Sequence, residues 1–324
     1  MGFAFDRQRR LAAIVVGRAG MDLYPVPDGV EIEAATEFAA EVGGSAGNIA
    51  VAIARQQHPA ALLGAISDDA VGRFVRIHLN RLSVDTSRCR AVAGAYRTSI
   101  AVCETRPNDS ETVFYRNGAV DLQLRADDVD ASFVASASFL VVTGTALAAE
   151  PSRSATLRAL ELARTEDTFS ILDIDYRAVS WSSREETTRA LIEAARHCDA
   201  VVGNDEEFGL LAGDPDKALR VANAFVADGG HFAVFKRGGE GSITMTADGS
   251  FETGILSVDA KKPFGSGDAF LGTLVVGLRH GLSLKDGVHR ATAAAAYVVA
   301  RRGCAFAMPT PAELDTFIRG HTIT

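Results

Sequence analysis

The sequence predicts a doubly wound α/β fold, a mainly parallel sheet flanked by helices, with a small β-sheet lid projecting from it. Three observations carry that prediction. Short, wholly apolar, β-branched runs recur along the chain; Arg-, Glu- and Ala-rich stretches with helical spacing separate them; and residues 90–124 replace the helical period with strand alternation.

The first run, Leu11 to Gly17, is the mark of a strand covered on both faces. Gly47 to Gln57 reads as a helix ended by His58-Pro59, and Ala60 to Ile66 returns to strand. Strands are expected again at Phe139 to Val142, Phe169 to Ile174, Ala200 to Val202 and His231 to Phe235, with helices such as Pro151 to Arg164 between them. Arg90 to Leu124, with its polar turn Pro107-Asn108-Asp109-Ser110, reads as a compact set of strands inserted between βα units. The lid is expected to draw its strands mainly from about 22–34 and 90–124, and such a lid excludes water from a reacting group. With no repeat, linker or low-complexity tract, residues 1–324 read as one domain.

Composition narrows the function. At 324 residues, 47% hydrophobic and 23% charged, the chain is neither disordered nor fibrous. Its 41 acidic against 33 basic residues argue against nucleic acid and an anionic membrane surface as partners, which need a basic surplus. The bases are skewed to 28 Arg and five Lys. Cys89, Cys103, Cys198 and Cys304 are too scattered for a zinc or redox motif and are expected as buried neutral thiols. The charges of MGFAFDRQRR follow its apolar residues, Asp6 breaks the myristoylation pattern, and Ala293 to Ala300 falls far below the ~20 residues that span a bilayer. A soluble, cytoplasmic protein is expected.

The most informative segment is Lys261 to Leu282. Gly265-Ser266-Gly267 is a small-residue turn leading into a helix with an apolar face of Phe270, Leu271, Leu274, Val275 and Leu278. Such a turn offers free backbone N–H groups and a helix dipole to an anion. Asp268 at the same point is either a helix cap or a general base beside an anion hole. Neither G-x-x-x-x-G-K-[ST] nor a strand followed by G-x-G-x-x-G is present, so a nucleotide site must be built another way. Near the front, Gly43-Gly44 allows close backbone approach and Asn48 both donates and accepts.

Gly17, Asp22, Gly43-Gly44 with Asn48, and the late GSGD together resemble the ribokinase-like family, the phosphofructokinase B carbohydrate kinases, from Leu11 to about Leu314. The resemblance implies an ATP- and Mg2+-dependent kinase. Asp22, Gly44 and Asn48 would bind sugar hydroxyls. Asn204 and Glu207, in GNDEEF, match the N-x-x-E element that helps place magnesium and phosphate, Glu207 acting through water or phosphate. Lys236, Gly238 and Gly241, in FKRGGEGS, look like the nucleotide-phosphate loop. Gly265, Ser266 and Gly267 would form the anion hole and Asp268 would be the base.

Phe114-Tyr115-Arg116 and Asp173-Ile174-Asp175-Tyr176-Arg177, with Trp181 behind, resemble elements of kinases for keto-deoxy sugar acids. Arg116 and Arg177 would clamp the carboxylate, a task that suits the planar guanidinium fork. GRAGMDLYP, DIDYR and KPFGSGDAF look like the subfamily that phosphorylates 5-dehydro-2-deoxy-D-gluconate in inositol catabolism. The alternatives are a 2-keto-3-deoxygluconate kinase, a kinase for neutral sugars such as fructose or ribose, and a non-catalytic sugar-acid sensor. Lys262 stands where the wider family carries an Asp of a monovalent-cation site, which puts potassium activation in question. Thr292 departs from the Asn common beside adenine, so no adenine contacts are assigned. Exposed lid edges point to a homodimer through the lid.

Overall fold

The computed structural model describes residues 5–106, 109–262 and 264–321. Its strands are β1 (Leu11–Val16), β2 (Gly20–Pro25), β3 (Phe38–Gly43), β4 (Ala60–Ser67), β5 (Val84–Asp85), β6 (Cys89–Val92), β7 (Ile100–Cys103) and β8 (Thr112–Tyr115). The later strands are β9 (Ala137–Thr143), β10 (Phe169–Asp173), β11 (Ala200–Asn204), β12 (Phe232–Lys236), β13 (Ser242–Thr246) and β14 (Gly249–Thr253). Helices α1 (Ser45–Arg55), α2 (Ala70–Arg81), α3 (Ala131–Ala135), α4 (Ser152–Thr165) and α5 (Arg184–Ala195) are followed by α6 (Asp205–Ala212), α7 (Ala218–Ala227), α8 (Ser266–Arg279), α9 (Leu284–Val299) and α10 (Pro311–Gly320).

The main sheet runs β14-β13-β12-β11-β10-β9-β1-β4-β5, and its strands are parallel from β12 to β5. The hairpin β13–β14 closes one edge antiparallel. The apolar runs have a direct cause in this arrangement. Alternate side chains of β1 and β9 enter opposite cores: Ala13, Val15, Phe139 and Val141 join α1, α8 and α9, whereas Ile14, Val16, Leu140 and Val142 join α4, α5 and α7. Both faces are covered, so β1 is wholly apolar and β9 carries polar residues only at Ser138 and Thr143, near its ends.

The second sheet has the order β3-β2-β7-β8. It differs from the expected lid in two places. β2 ends at Pro25 and residues 26–37 form no strand, because Pro25 and Pro27 cannot donate to a ladder; β3, at Phe38–Gly43, supplies the strand instead. Residues Cys89–Val92 join the main sheet rather than the lid. β5 covers only Ala60 and Ala61 of the eight-residue β4, and β6 pairs with the remaining edge at Gly64 to Ser67. Pro107 and Asn108 of the expected lid turn lie outside the described residues. Helix bounds shift slightly: α1 starts at Ser45, two residues before the expected Gly47. All four cysteines are buried and free, and burial pushes the Cys89 and Cys304 thiols up to about 12. Among the described residues no helix is long and apolar enough to cross a membrane.

Candidate active site

Three adjacent parallel strands end side by side in Asp173 (β10), Asn204 (β11) and Lys236 (β12), with Asn204 paired to Lys236 in register. The carboxyl ends of an open parallel sheet are where ligands bind, because the connecting loops diverge there. They open into a cavity of about 680 Å³. One part of its wall is polar: Arg177, Glu207, Gly238, Gly241 and the turn Gly265 to Asp268. Another part is apolar: Ile255, Leu256, Val258, Ala295, Ala296 and Val299, with Thr292 beside them.

The N-terminus of α8 is built for an anion. Gly265, its N-cap, has φ +84, a left-handed conformation that a side chain would strain, and a Cβ there would lie 2.9 Å from Cys304 Sγ. No side chain caps the helix, so its first-turn amides remain available to a ligand. The Lys236 ammonium lies 3.2 Å from the point where a Gly267 Cβ would be, directly over these amides.

Asp268, on the same turn, accepts a hydrogen bond from Asn48 Nδ2 at 2.8 Å. Burial, then the Asp175 carboxylate, pushes its pKa up to about 6, while Asn48, Arg177 and Lys236 oppose that rise. Among the described residues no backbone amide donates to this carboxylate, which separates it from a simple helix cap. Asn48 reaches it from the first turns of α1, whose N-cap Gly44 has φ +89 and lies against the Arg18 carbonyl.

Glu207 and Asn204 form a capping box at α6: Asn204 Oδ1 accepts from Glu207 N at 2.8 Å and Glu207 accepts from Asn204 N at 2.7 Å. The other Glu207 oxygen accepts from Tyr176 N at 3.0 Å, tying α6 to the loop after β10. Both oxygens are thus committed to backbone, an arrangement that suits contact with a metal through water or phosphate. Among the described residues, no group of three or more His, Cys, Asp or Glu is disposed to hold a metal ion.

Arg177 pairs with Asp175 at 3.2 Å and donates to the Tyr176 carbonyl at 2.8 Å. Arg116 stands apart from the cavity wall, buried against Asp121 at 2.8 Å. Asp22, in β2, is buried beneath the small sheet and accepts from Tyr24 Oη at 3.2 Å. Burial raises its pKa, with Arg18, Tyr24 and Lys262 opposing. The structure therefore gathers Gly265 to Asp268, Asn204, Glu207, Lys236, Gly238, Gly241 and Arg177 around one cavity, with Asn48 tied to it through Asp268 and Gly44 at the start of the Asn48 helix. Asp22 and Arg116 lie on the neighbouring inner face of the lid.

Two residues received no role in the reading of the sequence, Asp173 and Asp175. Asp173 faces the cavity with its pKa well above the usual range, through burial and then the Asp175, Glu207 and Asp268 carboxylates, with Lys236 opposing. Asp175, at φ +38, is buried and accepts from Ser45 Oγ at 2.6 Å and Thr145 Oγ1 at 3.0 Å. Both stand in the DIDYR motif, whose repeated Asp was the available signal. Lys262, singled out in the sequence at the cation position, is fully buried and donates to the Phe264 carbonyl at 2.5 Å, just before the α8 turn. The apolar cavity wall had no motif to announce it.

Sheet order, strand-end cavity and accessory sheet define an α/β fold with its ligand site at the carboxyl ends of the parallel strands. A family model described as pfkB family carbohydrate kinase matches residues 11–311, and the chain belongs to that family. It is 40% identical over 321 residues to the 5-dehydro-2-deoxygluconokinase of Photobacterium profundum, covering 97% of each chain. It is 34% identical to the enzyme of the same name from Geobacillus kaustophilus, covering 98% of this chain and 96% of that one. The fold matches a putative ribokinase II from E. coli in complex with ATP and Mg2+, with a TM-score of 0.84, 20% identity, and coverage of 95% and 99%.

Proposed function

We propose that the protein transfers the γ-phosphoryl group of ATP to the terminal hydroxyl of a keto-deoxy sugar acid, 5-dehydro-2-deoxy-D-gluconate before others, giving the 6-phosphate and ADP. The observation that carries this is the Asp268 carboxylate beside the uncapped N-terminus of α8, with the Lys236 ammonium over the same turn. The full-length likeness to kinases of that name supports the choice of acceptor.

In this reading Asp268 takes the proton of the acceptor hydroxyl. The oxygen bonds to the γ-phosphorus as the bond to the β-γ bridging oxygen breaks. The amides of Gly265, Ser266 and Gly267 and the Lys236 ammonium hold the negative charge spread over the transferred group. Gly238 and Gly241 let the loop after β12 approach the remaining phosphates, and the apolar wall from Ile255 to Val299 faces the base. Mg2+, placed through Glu207 and Asn204, would neutralise phosphate charge. Asp22, Gly44 and Asn48 orient the sugar, Arg116 and Arg177 its carboxylate, and the small sheet closes over it. Lys262 fills the place of a monovalent cation.

The proposal includes a cytoplasmic homodimer joined through the lid, whose edge strands β3 and β8 leave Phe38 and Tyr115 exposed. Light scattering that gives a monomer would reject the dimer. The decisive assay is ATP consumption with 5-dehydro-2-deoxygluconate, 2-keto-3-deoxygluconate, fructose and ribose. Turnover highest on a neutral sugar overturns the acceptor class; sugar-acid binding without ATP turnover makes the protein a sensor.

A further inference from the structure

Arg18 is a buried guanidinium of the lid region that acts on Asp22 from beyond ion-pair distance. Its side chain is 5% exposed, makes no hydrogen bond or ion pair among the described residues, and has its Nε sealed from solvent without an acceptor. A charge held away from water is costly unless it is paired, so a partner is missing from the free protein.

The surroundings say what kind of partner. Arg18 sits where the chain leaves β1 for the small sheet, and its carbonyl accepts the Gly47 amide of α1 at 3.1 Å, so the residue is fixed to the body. Its guanidinium lies 5.8 Å from the centre of the Phe114 ring. In the small sheet Asp22, Ala101 and Phe114 are paired across β2, β7 and β8, which puts Asp22 and Phe114 on one face. Arg116, two residues beyond Phe114, has Nη2 on Asp121 at 2.8 Å but a buried Nη1 with no acceptor. Asp121 is itself committed, accepting also from Ser99 Oγ at 3.1 Å. The cations Arg18, Arg116 and Lys262 face Asp22 and Asp121, and Glu41, opposite Asp22 in β3, adds a third carboxylate to this face, so what the two guanidinium groups lack is hydrogen-bond acceptors rather than net charge. The missing partner is a group with an acceptor for each unpaired nitrogen.

We infer that Arg18 is a specificity-determining residue that binds the carboxylate of the sugar-acid substrate, with the free Nη1 of Arg116 as its second donor. This rests on the sugar-acid reading above and deepens it: Arg116 and Arg177 are each held by an aspartate, and Arg18 adds a guanidinium that no ion pair holds among the described residues. A carboxylate matches the fork in charge and geometry, and a neutral acceptor leaves the fork buried and unpaired, which penalises the wrong substrate.

The test compares the sugar acid with its carboxamide in wild type, Arg18→Met and Arg18→Lys. Wild type is expected to prefer the acid in kcat/KM by roughly 100-fold, the Met variant to lose that preference with an unchanged KM for ATP, and the Lys variant to keep about a tenth of it. The Lys variant retains the charge and serves if the Met variant does not fold. An acid-to-amide ratio unchanged in both variants overturns the inference while leaving the sugar-acid kinase standing. Should wild type phosphorylate no sugar acid, that broader reading fails by itself. Binding is then read directly, from the thermal shift given by D-gluconate against D-glucitol. A gluconate-specific shift lost in Arg18→Met supports the subsite, and one retained there, or absent from wild type, overturns it.

Discussion

Asn48 Nδ2 donates to Asp268 Oδ2 at 2.8 Å, joining the first turns of two helices that are 220 residues apart in sequence. The bond fixes the carboxylate beside the α8 amides and favours its charged form. Replacing Asp268 by Asn keeps the shape and removes the base. Turnover is expected to fall by roughly 10²–10⁴-fold with KM for ATP nearly unchanged. The same variant is expected to be more stable at neutral pH. A carboxyl whose folded pKa stands above its unfolded value near 3.8 loses stability as pH rises from that value through 6, and Asn has no charge to lose. Because the cavity wall is open to solvent, the gain is about 1–2 kcal/mol. Thermal unfolding at pH 4 and pH 8 checks it: the difference is expected only at pH 8.

The pH profile follows from the same group. With Asp268 ionising at about 6, kcat/KM is expected to fall below that pH with unit slope. Asn48→Ala removes a hydrogen bond that lowers the pKa, so the acid limb moves to higher pH. A limb that stays in place in the variant separates Asn48 from the base.

Glu207 closes two backbone donors, Tyr176 N and Asn204 N. Glu207→Ala orphans both and is expected to cost about 2–4 kcal/mol of stability, at roughly 1–2 per unpaired amide. Saturating Mg2+ does not restore the loss, which chemical denaturation with and without the metal reads.

Lys262 is a buried ammonium on the Phe264 carbonyl, 4.0 Å from Cys304 Sγ. A covalently held cation at this point makes an added one unnecessary, so wild-type turnover is expected to be equal in sodium, potassium and choline salts. Lys262→Met is expected to lower kcat by roughly 10–100-fold through a loosened α8 turn. Potassium activation of wild type would show that Lys262 does not fill that place.

His58 and His280 share a 2.8 Å Nε2 contact at the ends of α1 and α8. Burial, then His280 and Arg279, lower the His58 pKa to about 4. The unfolded chain takes up the proton near 6.5, so this contact's stability is full above 6.5 and declines as pH falls toward 4. His58→Gln is expected to flatten the acid side of the unfolding profile.

The strand runs were legible because a parallel sheet covered on both faces favours apolar residues throughout, as β1 and the centre of β9 show. The turn at Gly265 to Asp268 was legible for a similar reason: backbone that must approach an anion needs glycine, and a base needs a carboxylate beside it. β6 was misplaced because strand pairing is decided by which edge is free, here Gly64 to Ser67 of β4, and no local pattern encodes that. The sequence by itself determined the class of fold, the family and the chemistry available at the two glycine-rich segments. Only the tertiary structure decided which charges remain unanswered. Arg177, Arg116 and Arg18 look alike in a string of 28 arginines, yet Asp175 pairs with the first, Asp121 with the second, and the third has no ion pair among the described residues. Pairing of charge depends on distances between segments remote in the chain, and those exist only once the lid has packed on the sheet.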